Sequence, residues 1–255
     1  MRKGNFRKAL LRGDTTFGTW IQIGDGTVAE ILAEVGYDWV AVDCEHTGID
    51  VEGFTNIARA MFGRGVTPLV RVRENDTLAI RQVLDAGAEG VIVPLINTAD
   101  EAARAVAAAR YPPEGVRGFS FSRMNNWGQD FDRYAETANE NTAVIVMIES
   151  QQAVEDIEDI LAVEGVDGVF IGPYDMSGSY GVPGQTDHPA VREGCRKVVT
   201  ACQNAGKAAG LHVVRPEAEK IERAIEDGYT LIALGVDTVF LAREAQKALK
   251  IARHR

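Results

Sequence analysis

Cysteine is scarce in this chain of 255 residues, with only Cys44, Cys195 and Cys202. The odd number and the lack of CxxC spacing exclude a disulfide framework and a zinc knuckle, and reduced thiols in a cytoplasmic protein are the simpler expectation. Long hydrophobic runs are missing as well. The basic stretch from Met1 to Lys8 is followed only by Ala9, Leu10 and Leu11 before Arg12 and Asp14, so no signal peptide is expected. No apolar run approaches the roughly 20 residues needed to cross a bilayer. Positive charge is in deficit: 27 Lys and Arg against 37 Asp and Glu give a net charge of −10, which argues against nucleic acid as a partner. No strand-like run is followed by GxGxxG or a P-loop, which removes the usual signature of a doubly wound nucleotide-binding sheet.

What is present is an ordinary globular composition, 45% hydrophobic and 25% charged, patterned as short apolar runs alternating with longer amphipathic stretches. The runs at 17–22, 38–43, 67–72, 90–95, 143–148, 168–171, 209–213 and 230–234 read as strands. The stretches at 27–35, 51–63, 76–87, 98–110, 151–161, 188–205, 216–227 and 237–252 read as helices. Gly36, Gly87, Gly165, Gly206 and Gly228 each follow a helical stretch and precede a strand, as helix C-caps do. Several strand cores are apolar almost without interruption, the pattern of parallel strands covered on both faces. Eight such units in alternation predict a single-domain (β/α)8 TIM barrel spanning residues 1–255.

Residues 111–142 break the rhythm. The segment follows a helix and so starts on the face opposite the strand C-termini. Loops of such length are uncommon without a function. A surface excursion or subunit contact is one reading; the other is that Arg117, Gly118, Arg123 and Trp127 help to shape the mouth of a site, including that of a neighbouring subunit.

Two carboxylates carry the chemical argument. Glu149 and Asp175 lie just beyond the ends of strand-like runs, where a barrel of this kind places its active site, and two hard oxygen ligands suit Mg²⁺, Mn²⁺ or another divalent cation while leaving room for water and substrate. The alternative is that each caps the helix that follows. The run ending in Asp43, Cys44, Glu45 and His46 delivers an imidazole with acids beside it. Arg71 and Arg73 end the third strand, where a cation serves a substrate carboxylate or enolate, or pairs with a loop acid. The Gly172-Pro173-Tyr174 loop offers backbone amides to a carboxylate. Asp85, at a helix end before strand four, has no evident role from position alone. Lys207 stands at a strand start, on the wrong face for a Schiff base.

The motifs Asp43-x-Glu-His46, Val70-Arg71-Val72, Leu84-Asp-Ala-Gly-Ala88, Val93-Pro94, Tyr111-Pro-Pro-x-Gly-x-Arg-Gly118, Ile148-Glu149 and Gly165-Val-Asp-Gly-Val-Phe-Ile-Gly-Pro-x-Asp175 closely resemble the HpcH/HpaI family of metal-dependent, pyruvate-utilising class II aldolases. The resemblance covers almost the whole chain, in order. It implies a hexamer arranged as a trimer of dimers, with the C-terminal helix near 237–252 exchanged between subunits. It also implies that His46 is the acid–base group, Asp85 the partner that raises its basicity from the same or a neighbouring subunit, and Arg71 the enolate stabiliser. Glu149 and Asp175 would ligate Mg²⁺, Mn²⁺ or Co²⁺, the 172–175 loop would hold the pyruvate carboxylate, and Trp20 and Asp43 would line the pocket.

Two positions depart from the family pattern. Met147 stands where a Gln is common and removes a hydrogen-bond donor; Tyr174 stands where Ala or Ser is common and adds bulk and a hydroxyl. The expected activity is reversible cleavage of a 4-hydroxy-2-oxo acid to an aldehyde and pyruvate, or hydroxypyruvate, through an enolate. The rivals are an oxaloacetate-type decarboxylase or other carbon–carbon lyase, a Claisen-type enzyme using an acyl-CoA, and, from a different class, a non-catalytic 2-keto-acid binding protein.

Overall fold

The short apolar runs form eight parallel strands: β1 (Thr16–Ile21), β2 (Trp39–Asp43), β3 (Thr67–Arg71), β4 (Gly90–Val93), β5 (Ala143–Ile148), β6 (Gly168–Ile171), β7 (Ala208–Val213) and β8 (Leu231–Val236). They pair in chain order, and β8 pairs with β1 to close a barrel. The computed structural model describes residues 5–253, so the first four residues of the basic N-terminal stretch and the last two of the chain lie outside the described residues. The helices are α1 (Asn5–Leu11), α2 (Gly26–Val35), α3 (Val51–Met61), α4 (Thr77–Ala86), α5 (Ala99–Ala109), α6 (Phe131–Asn141), α7 (Gln151–Glu155), α8 (Ile157–Ala162), α9 (Pro173–Ser179), α10 (Pro189–Ala205), α11 (Ala218–Glu226) and α12 (Asp237–Arg253).

One helix shows how local sequence builds this layer. The Asp50 side chain accepts a hydrogen bond from the Gly53 amide and caps α3, satisfying a donor that the helix itself leaves unpaired. Phe54, Ile57, Ala58 and Met61 recur at three- and four-residue spacing and are buried against the strands. Each large apolar side chain so placed contributes roughly 1.5–3 kcal/mol. Phe54→Ala would cost about 3–5 kcal/mol.

Alternate strand residues face inward and outward. Inward-facing Trp39, Leu69, Ile92, Ile145, Phe170 and Leu231 fill the barrel, while Val40, Val70, Val91, Val144 and Val169 face the helices. Gly18 is required by this packing, because a Cβ there would sit 2.1 Å from the Trp39 ring. At the N-terminal end α1 plugs the barrel with Phe6 and Leu10, and Phe6 lies 6.5 Å from Trp39.

The expected element boundaries hold to within two residues, with four differences. The helix expected over 151–161 breaks at Asp156, which ends α7 and begins α8. The 111–142 segment contains α6 and a 3-10 turn at Arg123–Gly128; α6 is polar, and its Phe131 is held by Phe119 and Phe121, a tertiary contact that periodicity does not reveal. The short helices α1 and α9 were not expected either. Gly36, Gly87 and Gly206 do cap helices, but the C-caps of α8 and α11 are Val163 and Asp227, with Gly165 and Gly228 following. In α12 only Asp237 is buried. No helix among the described residues is long and apolar enough to cross a membrane.

Candidate active site

The register between β2 and β3 places Asp43 directly opposite Arg71. The guanidinium reaches across to the carboxylate, with Nε 3.1 Å from Oδ1 and Nη2 2.8 Å from Oδ2. The carboxylate also accepts from Gln22 Nε2 and from the amides of Glu45 and His46. Burial alone would raise the Asp43 carboxyl, but Arg71 and Gln22 outweigh it and hold the group below its ordinary range. Arg71 also stacks over the Trp20 indole, its guanidinium carbon 5.0 Å from the ring centroid. The pairing with a nearby acid and a position at the barrel mouth, treated as alternatives from sequence, therefore coexist. Arg73 is exposed and reaches only the Ile49 carbonyl at 3.4 Å.

One nitrogen of Arg71, Nη1, is left over. It lies 3.2 Å from Glu45 Oε2, yet that oxygen has no hydrogen bond of acceptable geometry. Burial pushes Glu45 up despite Arg71, and Asp43 and Asp175 add to the shift. Beyond β5, Glu149 is 8% exposed and is pushed up to about 7, mainly by burial, with Glu45 and Asp175 contributing and the Leu95 amide opposing. Leu95 holds a positive φ of 55° while its N–H donates to Glu149 Oε2 at 3.2 Å. Such a backbone is uncommon for a branched side chain and is a feature of functional sites.

Helix capping does not explain either carboxylate. Ser150, not Glu149, caps α7 by accepting from the Ala153 amide. Gly172 occupies the cap position of α9, and Asp175 lies in the first turn, exposed. A Cβ on Gly172 would stand 2.8 Å from Glu149 Oε1, so glycine keeps clear the space beside that oxygen. Among the described residues no group of three or more protein ligands is preassembled for a metal. Two convergent carboxylates, one buried and holding its proton more tightly than usual, fit a hard divalent cation that takes its remaining ligands from water and substrate.

The other expected residues divide between the mouth and elsewhere. His46 sits at the mouth with its side chain 61% exposed and Nε2 3.6 Å from Glu45 Oε2. Met147 and Trp20 are buried inside the barrel with Phe170, which meets Trp20 edge-on at 5.5 Å. Tyr174 is 66% exposed. In the 172–175 loop the Gly172 amide is committed to the Ile148 carbonyl at 3.1 Å and Pro173 has none. The first-turn amides of Tyr174 and Asp175 are the ones left for an anion.

Asp85 is not brought to His46 within the chain. It lies in the last turn of α4, at the opposite end of the barrel, bonded to Arg117 Nη2 at 2.7 Å and to Ser120 Oγ at 3.2 Å. Arg123 likewise donates to the carbonyls of Ala86 and Ala58 at that end. Lys207 is bonded to the Val166 carbonyl at the start of β7. Burial pushes the Cys44 and Cys202 thiols up to about 12 and Cys195 to about 11, which leaves none poised as a nucleophile. Sequence reasoning placed Glu45 beside the imidazole but gave no site role to Gln22, Phe170 or His212. Inward alternation along β7 through Ala208, Gly210 and His212 was the available signal for the last of these.

Comparison with known proteins identifies the family. The profile of the HpcH/HpaI aldolase/citrate lyase family matches residues 16–243. The chain is 38% identical over 238 residues to a hydroxypyruvate/pyruvate aldolase of Roseobacter denitrificans, covering 92% of each chain. It is 38% identical over 246 residues to a 4-hydroxy-2-oxo-heptane-1,7-dioate aldolase of Shigella sonnei, covering 96% of this chain and 93% of the relative. The crystal structure of a family protein from Burkholderia cenocepacia superposes with a TM-score of 0.93 at 34% identity, covering 98% of this chain and 99% of that one. A closed parallel barrel with carboxylates gathered at its mouth, and a profile match across nearly all of it, place this chain in the HpcH/HpaI aldolase/citrate lyase family.

Proposed function

We propose that this protein catalyses the reversible aldol cleavage of a 4-hydroxy-2-oxo acid into an aldehyde and pyruvate or a substituted pyruvate. The observation that carries the proposal is the mutual interaction of Glu45, Glu149 and Asp175 at the mouth, with Arg71 Nη1 3.2 Å from Glu45 Oε2, in a family of aldolases and lyases. Glu149 and Asp175 are the residues that would hold the divalent cation, Mg²⁺, Mn²⁺ or Co²⁺. Bound there, such a cation supplies Lewis acidity toward the 2-oxo group.

The chain's own residues supply the rest. The first-turn amides of α9 receive the substrate carboxylate. His46 Nε2 takes the proton of the C4 hydroxyl as the C3–C4 bond breaks and the aldehyde forms. The electron pair of that bond becomes the enolate of the keto acid, whose oxygen faces Arg71 Nη1, the guanidinium nitrogen not used by Asp43. The same proton then returns from His46 to C3, giving the keto acid. Glu45, 3.6 Å from His46 Nε2, orients the imidazole. Asp85 serves the same purpose from another subunit, acting on the partner subunit's His46.

That role for Asp85 goes with a cytoplasmic hexamer, a trimer of dimers that exchange α12. The solvent-facing Leu241, Leu249 and Ile251 of α12 and the exposed Ile31 and Val35 of α2 support such an exchange, since exposed apolar faces of this kind mark contact surfaces.

The test is deuterium exchange at C3 of pyruvate in D₂O, followed by NMR with Mn²⁺ or Mg²⁺ and then with EDTA. Exchange that requires the cation and is lost in His46→Ala is the expected result. Equal exchange after chelation would overturn it. Oxaloacetate decarboxylation retained by His46→Ala while aldol cleavage is lost would show that both reactions share one enolate.

A further inference from the structure

His212 is an inward-facing titratable residue of the mouth that the reaction above does not use. It follows Ala208 on the inner face of β7, whereas Ala209, Leu211 and Val213 pack against the outer layer. Its ring lies 6.1 Å from the Trp20 ring, the same indole over which Arg71 stacks. It therefore lines the end of the barrel where the substrate is held.

Its hydrogen bonding is fixed on one side and open on the other. Nε2 is 3.0 Å from the Gly235 carbonyl oxygen. A carbonyl only accepts, so Nε2 carries the hydrogen, and in the neutral ring Nδ1 is then an acceptor. Nδ1 has no donor among the described residues and is not sealed from solvent. Protonation is resisted: burial, reinforced by Arg71, lowers the imidazole to about 4 against the opposing Gly235 bond. A purely structural histidine needs only the Gly235 contact; the unused acceptor, on a ring at the substrate end of the barrel, is the excess to be explained.

The geometry points to His212 as a specificity-determining residue whose Nδ1 accepts a hydrogen bond from a hydroxyl group of the substrate. The inference rests on the aldol reading above. The hydroxyl belongs either to the keto acid, as on C3 of hydroxypyruvate, or to the aldehyde. In both cases hydroxylated substrates are favoured over their deoxy counterparts.

The test compares kcat/KM in two arms: hydroxypyruvate against pyruvate with propanal as acceptor, and glyceraldehyde against propanal with pyruvate as donor. His212→Leu removes the acceptor, and the hydroxyl-to-deoxy ratio is expected to fall about tenfold in the arm that supplies the hydroxyl, the effect of one lost hydrogen bond. His212→Asn places a carbonyl oxygen near the position of Nδ1 and should recover part of the ratio, which a packing role would not predict. His212→Met replaces the leucine variant if that fails to fold. Ratios within twofold of wild type in both arms would overturn the assignment. Absence of cation-dependent deuterium exchange into either keto acid by the wild-type enzyme would instead sink the aldol reading, and this assignment with it.

Discussion

At the N-terminal end of the barrel, Asp167 is buried with Arg7 Nε 2.8 Å away and Arg110 Nη2 3.6 Å away, and its second oxygen accepts the Val144 amide. Asp85 at the same end is paired with the fully buried Arg117. At the C-terminal end, Glu45, Glu149 and Asp175 act on one another, and the guanidinium beside Glu45 is already committed to Asp43. Asp167 at the first end is matched by two cations and locks α1 to the plugged barrel floor. Acids at the second end outnumber their cations, and Glu149 answers by holding its proton up to about pH 7. Matched buried charge serves architecture; unmatched buried charge is a mark of functional sites.

The sharpest way to break this contrast is Glu149→Gln. Aldol cleavage is expected to fall on the order of 100-fold or more through loss of a cation ligand, measured as kcat/KM with saturating Mn²⁺. The same substitution should leave the cation-free protein at least as stable as wild type at pH 8, with a gain of up to about 3 kcal/mol, because it removes an uncompensated buried charge. Denaturant unfolding in EDTA checks this, and a marked destabilisation would mean that the carboxylate is structurally paired.

Asp167→Asn should behave in the opposite way. It strips the charge from between Arg7 and Arg110 and should cost about 3–5 kcal/mol of stability, read as a lower denaturation midpoint. A loss below about 0.5 kcal/mol would erase the distinction between the two ends.

pH sharpens the comparison further. Glu149 is raised from 4.5 to about 7 in the folded chain. Between those values the native state keeps a proton that the unfolded state has released. The cation-free protein should therefore lose stability as pH rises from about 4.5 to about 7. Cation affinity has the opposite slope, since a proton competes for the same oxygen. Mn²⁺ titration calorimetry should show affinity falling by about tenfold per pH unit below 7; constant affinity down to pH 5 would remove Glu149 from the ligand set.

The smallest expected effect concerns the floor of the mouth. Met147→Gln adds an amide donor beside Trp20 and Phe170 and should lower the KM for pyruvate by roughly three- to tenfold, with less change in kcat. An unchanged KM would mean that position 147 only packs.

The barrel was legible because its signal is local. Runs such as Val144 to Ile148 can only be strands covered on both faces, and their alternation with amphipathic helices leaves few topologies. Glu149 and Asp175 were legible for the same reason, since strand ends in this architecture all point to one mouth. His212 was hidden because one inward residue in a strand looks like any other until the neighbouring ring is known. The position of Asp85 was readable as a helix end, but its partner Arg117 lies 32 residues away in a segment whose polar composition gives little hint of its fold.

By itself the sequence determined the eightfold alternation, the inward and outward faces of each strand, and the acids and the imidazole carried to the mouth, because these depend on periodicity and chain order. Only the tertiary structure decided that Asp43 meets Arg71, that Ser150 frees Glu149 from capping, and that His212 spends one nitrogen on Gly235 and keeps the other. Those outcomes depend on strand register and on distances of a few ångströms between residues far apart in the chain, which local propensity does not encode.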